Sequence, residues 1–175
     1  MTNNLFLSIL PTPLGDLAIF SDHDAIYRVK FTDRVKDIEL MNTDIYQENE
    51  ITLLAKKQLS QYFDGKRSTF NLPLAPQGTS FRQQAWQALQ KIPYGETRYY
   101  SEQAELMDNI KAVRAVGAAN GANPISIIIP CHRVIGKDGS LTGYAGGLER
   151  KAWLLNLEQK EVQKEVQNKQ EFELK

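Results

Sequence analysis

The apolar positions of this chain change period near its middle. LAIF (17–20) and IYRVKF (26–31) are short runs of β-forming residues, and the turn cluster Ser21-Asp22-His23-Asp24 between them predicts a hairpin. Leu53, Leu54, Ala55, Leu59, Tyr62 and Phe63 then fall on one helical stripe, and Gly65 is placed to stop that helix. Pro73, Pro76 and Gly78 mark 71–80 as a linker. Beyond it the chain reads as helical. Thr79 or Ser80 can cap a helix to about Gln90, a short helix follows near 100–107, and Asp108 and Asn109 break the pattern and can cap another from about 111 to 122. Two short helices joined by a tight turn suggest a helix-turn-helix. Ser126 to Ile129 reads as extended because Pro130 biases its predecessor away from helix. Glycines at 136, 139, 143, 146 and 147 make a loop, and Leu148 to Leu157 is a final amphipathic helix. Residues 159–175, mostly charged and amide side chains, either extend that helix or fray.

The fold class is therefore α+β: a small N-terminal α/β domain (1–75, hairpin plus helix), a mostly helical domain (76–158) and a charged tail (159–175). A length of 175 residues suffices for a buried core, and 42% hydrophobic with 24% charged residues is ordinary for a globular protein. No apolar run approaches a bilayer-spanning length, and MTNNLFLSIL lacks the basic start of a secretory signal. With one cysteine and no disulfide framework, the expected location is the cytoplasm. The net charge is zero, but residues 82–151 carry 9 basic and 6 acidic side chains, an excess compatible with a phosphate backbone.

Three features carry candidate chemistry. Cys131 lies in Pro130-Cys131-His132-Arg133-Val134, where cationic neighbours favour a thiolate; the plain alternative is a buried small hydrophobe. His23, in the turn cluster, is expected to be simply solvated. One cysteine and two distant histidines make a zinc site improbable. The helix from Lys111 to Ala122 is faced with alanine and glycine, so it is unsuited to reading base edges but can approach the walls of a groove closely. Arg114, its one long side chain after Lys111, can then enter the base stack and fill the space of an extruded nucleotide; a tightly packed interior helix is the alternative. Tyr99, Tyr100 and Tyr144 can meet a flat ring, and Gly143, Gly146 and Gly147 leave room for one against the backbone.

Together, IPYGETRYYSEQA (92–104), AVRAVGAANGANPISIIIPCHRVIG (112–136) and GYAGGLERKAWLLNLE (143–158) resemble the O6-alkylguanine-DNA alkyltransferase family, in the expected order and at compatible spacing. The N-terminal half agrees more loosely, in PLG (13–15) and QLSQYFDG (58–65). The resemblance implies a ribonuclease H-like N-terminal domain and a single, irreversible transfer of an alkyl group from O6-alkylguanine in double-stranded DNA to the protein. It leaves open whether O4-alkylthymine is accepted. It makes Cys131 the acceptor, His132 its base through a water, Glu158 the group that orients the imidazole, and Tyr100 the donor to the guanine ring nitrogen. It has Asn123 brace the turn before the acceptor. Arg114, Ala115, Gly117, Ala118, Asn120 and Gly121 would meet DNA, with Arg114 replacing the flipped base. Tyr144, Ala145, Gly146 and Gly147 would line the base pocket. No cofactor, metal, membrane or protein partner is implied, and a monomer is expected.

Three departures stand out. The turn is Met107-Asp108-Asn109-Ile110 where relatives often have glycine and proline, Gln103 stands where leucine is common, and the N-terminal zinc ligands of some members are missing. Two other readings compete. One is a helix-turn-helix damage sensor or transcription regulator without alkyl transfer, against which the retained Cys131 argues. The other is a cysteine hydrolase, disfavoured because its dyad would be adjacent in sequence.

Overall fold

The computed structural model describes residues 5–35 and 47–174. Three strands, β1 (Phe6–Thr12), β2 (Gly15–Ser21) and β3 (Ile26–Phe31), form an antiparallel sheet in the order β1-β2-β3. The expected hairpin is β2–β3, with Asp22 accepting from the backbone N–H groups of Asp24 (2.7 Å) and Ala25 (2.9 Å) in the turn. His23 is not simply solvated: its ring packs edge-on against Phe6, with centroids 5.0 Å apart. Strand β1 was not expected; Pro11 interrupts its apolar alternation. Residues of β2 alternate between two cores, Leu17 and Ile19 on one face, Ala18 and Phe20 with Leu7 and Val35 on the other.

Helix α1 (Glu50–Phe63) begins where Asn49 accepts from Thr52 N–H at 2.8 Å and Thr52 returns its hydroxyl oxygen to Asn49 N–H. It buries Ala55, Leu59 and Tyr62, and the left-handed Gly65 (φ 73°) follows its end. The outer edge of β3 is not left open. Ile26 bonds with Pro73 and Ala75 of the linker, while Val29 receives Ser126 N–H and donates to Pro124 C=O. The chain that precedes Cys131 is thus hydrogen-bonded to the N-terminal sheet.

Helix α2 (Ser80–Leu89) is capped by Thr79 and buries Trp86, whose indole N–H donates to Ala119 C=O at 2.8 Å. Helices α3 (Tyr100–Leu106) and α4 (Val113–Gly121) are joined by a turn in which Asp108 is left-handed (φ 53°). The expected capping by Asp108 or Asn109 does not occur: Ala112 precedes α4 and no side chain caps it. Cys131–Arg133 form one 3-10 turn, and the short parallel pair β4 (Arg98–Tyr99) and β5 (Val134–Ile135) follows. The final helix α5 runs unbroken from Leu148 to Glu173, so 159–173 extend it. Leu59 and Tyr62 share one core cluster with Trp86, Ile92, Ile129, Val134 and Leu154, which joins the two halves.

The expectation of an extended run at Ser126–Ile129 is corrected. Those residues form a tight turn in which Ile127, fully buried, takes φ 73°. A β-branched residue in that region is strained by about 1–3 kcal/mol, and it persists here because bonds on both sides hold it.

Candidate active site

Asn123 supplies those bonds. Its side-chain oxygen accepts from Ile125 N–H (3.0 Å), and its amide donates to Ile129 C=O (2.8 Å) and to Cys131 Sγ (3.2 Å). One buried side chain therefore ties both ends of the 125–129 turn and touches the sulfur. Cys131 is itself buried. Burial pushes its thiol pKa up, against the Asn123 hydrogen bond and the charge of Lys151, which pull it down. At rest the group is a thiol and needs a base to become nucleophilic.

The next residue in the chain is a histidine. His132 is fully buried, with Nε2 2.6 Å from Glu158 Oε2, while Nδ1 has no hydrogen-bond partner within the described protein. Burial lowers the imidazole pKa against the opposing pull of Glu158, which favours the neutral ring near pH 7. Burial alone would raise the Glu158 carboxyl, but His132 and Arg133 outweigh it and hold it at about 2. An ionised Glu158 can only accept, so the imidazole proton belongs on Nε2 and Nδ1 is left with a free lone pair.

Glu158 is saturated with donors. Oε2 also accepts from the Tyr62 hydroxyl at 2.5 Å and Arg133 Nη2 at 3.2 Å, and Oε1 accepts from Arg133 Nε at 2.8 Å and Gly95 N–H at 3.1 Å. Arg133 donates further to Ile92 C=O at 2.8 Å. Of these partners the sequence reading singled out Arg133 only as a nearby charge; Tyr62 and Gly95 were missed. Tyr62 lies 96 residues from Glu158 in sequence, beyond any local pattern.

The glycine-rich loop passes over this centre. Tyr100 is half-buried and donates from its hydroxyl to Thr142 C=O at 3.1 Å. The same carbonyl accepts from Lys151 Nζ at 2.7 Å, and Lys151, also overlooked in the sequence, reaches Val134 C=O at 2.6 Å. Tyr144 is buried, and its ring occupies the place of a side chain at Gly146: an added Cβ there would stand 2.7 Å from the ring. Burial, then the facing Cys131, hold the Tyr144 phenol pKa well above its ordinary value. Ala145 and Gly146, with Ser126, Lys30, Phe31 and Arg34, line a cavity of about 150 Å³, and half-buried Gly147 adjoins them at the start of α5.

Helix α4 has two unlike faces. Arg114, Ala115, Ala118 and Gly121 are exposed, and Gly117 is half-buried, 3.8 Å from Tyr100 when a Cβ is added. Asn120 is a correction. It was expected at the DNA face, but its side chain is buried in a reciprocal amide pair with Gln103 (2.7 and 2.9 Å), and Gln103 also donates to Ala85 C=O. The inward turn of α4 leaves Asn120 between α2 and α3, and the polar Gln103 is what completes its bonding. Among the described residues no group of His, Cys, Asp and Glu is arranged to hold a metal ion, and no helix is long and apolar enough to cross a membrane.

Residues 80–160 match the family described as 6-O-methylguanine DNA methyltransferase, DNA binding domain, and residues 5–76 match that enzyme's ribonuclease-like domain. The chain belongs to the 6-O-methylguanine DNA methyltransferase family. A methylated-DNA--protein-cysteine methyltransferase of Methanosarcina acetivorans is 46% identical over 154 residues, covering 88% of this chain and 98% of that protein. One from Haemophilus influenzae is 47% identical over 157 residues, covering 88% and 86%. The crystal structure of Mycobacterium tuberculosis O6-methylguanine methyltransferase superposes with a TM-score of 0.80 at 39% identity, covering 90% of this chain and 94% of that one. The same organism's protein in complex with DNA gives 0.79 at 39%, covering 89% and 94%. The α+β class, with a sheet-bearing N-terminal domain and a helical C-terminal domain, is that of this family, and DNA is the partner of its C-terminal domain.

Proposed function

We propose that this methyltransferase repairs DNA by moving an alkyl group from O6 of guanine in a duplex to Cys131, once per molecule. The observation that carries this reading is the buried His132–Glu158 pair beside Cys131, with His132 Nδ1 left free. A proton leaves the Cys131 thiol and reaches Nδ1 through a bridging water, and the imidazolium is held by Glu158. The sulfur forms a bond to the alkyl carbon as the carbon–O6 bond breaks, and the electron pair of that bond passes to guanine. Tyr100 gives its hydroxyl proton to a ring nitrogen of the leaving base, exchanging its bond to Thr142 for one to guanine, and takes a proton back from solvent once the base has left. The product thioether has no easy route back, so no turnover follows.

DNA would meet the exposed face of α4. Ala115, Gly117, Ala118 and Gly121 are small enough for close approach to the sugar-phosphate wall, and Arg114 fills the place of the extruded nucleotide. Tyr144 and the backbone of Ala145 to Gly147 would receive the base, and Asn123 braces the acceptor turn. Flipping a base already mispaired costs less than flipping a normal one, which favours the damaged site without sequence readout. In this scheme 76–158 form the DNA-binding and acceptor unit and 1–75 its support, in a monomer acting in the cytoplasm.

The test is a titration of a duplex carrying one O6-methylguanine. Restored guanine should saturate at one equivalent of protein; repeated turnover, or no restored guanine, would contradict the proposal.

A further inference from the structure

We infer that Tyr62, contributed by α1 of the N-terminal half, is a positioning residue for the transfer reaction: its hydroxyl keeps Glu158 Oε2 an acceptor for His132. The inference rests on the reading of Cys131 as acceptor and His132 as base. The geometry is that of one oxygen serving two short contacts, the Tyr62 hydroxyl at 2.5 Å and His132 Nε2 at 2.6 Å. The phenol is held in place by rings on three sides: Phe63 at 5.7 Å and 90°, Phe70 at 5.6 Å and Tyr94 at 6.1 Å and 87°. It is fully buried, and burial followed by the charge of Glu158 holds its pKa well above the ordinary phenol value, so it remains a donor throughout the working range.

The consequence concerns base strength. When His132 takes the thiol proton, its Nε2–H faces a carboxylate oxygen at 2.6 Å. A bare carboxylate in a water-poor interior would be a strong base toward that ring and would draw His132 into its protonated form before substrate arrives. The Tyr62 hydroxyl and Arg133 spend part of the basicity of Oε2, so the ring stays neutral at rest and Nδ1 stays available. Arg133 comes from the same 3-10 turn as His132, whereas Tyr62 comes from the other half of the protein. The N-terminal half thus reaches the His132–Glu158 pair through the Tyr62 hydroxyl, in addition to supporting the fold. The ionisable groups around the pair are Tyr62 from α1, Tyr94 from the 93–96 turn, Cys131 and Arg133 from the 3-10 turn, Tyr144 from the loop and Lys151 from α5. The substitution below changes only the first.

The experiment is an NMR titration of the imidazole of His132 in the full-length protein and in Tyr62→Phe. With two histidines in the chain, His23→Gln assigns the signals. Tyr62→Phe should raise the His132 titration midpoint by roughly one pH unit, and it should move the acid limb of the single-turnover transfer rate up by the same amount. A lower melting temperature with both midpoints unmoved would overturn the inference and leave Tyr62 a packing residue. If Tyr62→Phe fails to fold, fluorotyrosine placed at position 62 supplies a stronger donor of nearly the same shape and should lower the midpoint; an unchanged midpoint there overturns the inference as well. Because the imidazole titration needs no substrate, it is decided separately from whether wild-type protein transfers an alkyl group at all.

Discussion

His132 Nε2 and Glu158 Oε2 lie 2.6 Å apart with neither side chain exposed to solvent. The pair makes the fold sensitive to acid, and the sign follows from both partners. Glu158 has a folded pKa of about 2 against an ordinary 4.5, so the unfolded chain binds its proton first as pH falls through that window. His132 is also lowered, from 6.5, so the unfolded chain takes that proton first as well. Both contributions are present near neutral pH and are lost as pH falls.

We therefore expect the melting temperature to drop steadily between about pH 7 and pH 3, with Glu158 alone contributing on the order of 2–3 kcal/mol. Thermal melts across that range check it. Glu158→Gln should be less stable at neutral pH and show a shallower acid dependence. A wild-type melting temperature that stays flat down to about pH 4 would contradict the assignment.

The Gln103–Asn120 pair should behave as a unit. Gln103→Leu leaves the Asn120 amide buried without its partner, and Asn120→Leu leaves Gln103 in the same state. Each single change should cost about 1–3 kcal/mol, and the double change should cost less than their sum. Urea unfolding of the four proteins measures the coupling; strict additivity would mean the pair carries no mutual energy.

Arg114 stands exposed at the start of α4. Arg114→Ala should slow repair of a duplex roughly 10–100-fold, the scale of losing support for an extruded base, and should leave reaction with free O6-methylguanine base nearly unchanged. Paired rate measurements on the two substrates decide the point. Equal loss on both would remove Arg114 from the flipping step.

Local patterns made much of this molecule readable. The turn cluster at 21–24 marks the β2–β3 hairpin because Asp22 bonds forward to the next backbone groups, and Thr79 marks the start of α2 for the same kind of reason. Elements fixed by distant partners were not readable. Pro130 argued for an extended approach to Cys131, yet the bonds from Asn123 and the pairing of 124–126 with Val29 impose a turn. The resemblance placed Asn120 at the DNA face with its α4 neighbours, and only the buried Gln103 shows why it points inward. Cys131, His132 and Glu158 could be singled out by resemblance, but Tyr62 could not, since nothing near it in sequence announces a carboxylate 96 residues away.

The most direct test of the account is the intact mass of the protein after incubation with a short duplex containing one O6-methylguanine, run beside Cys131→Ala. The account predicts a single added methyl mass on the wild type, mapped by peptide digestion to Cys131 and missing from Cys131→Ala, which should still bind the duplex. An unmodified wild type that nonetheless binds the duplex would contradict alkyl transfer and leave a damage-binding protein in its place.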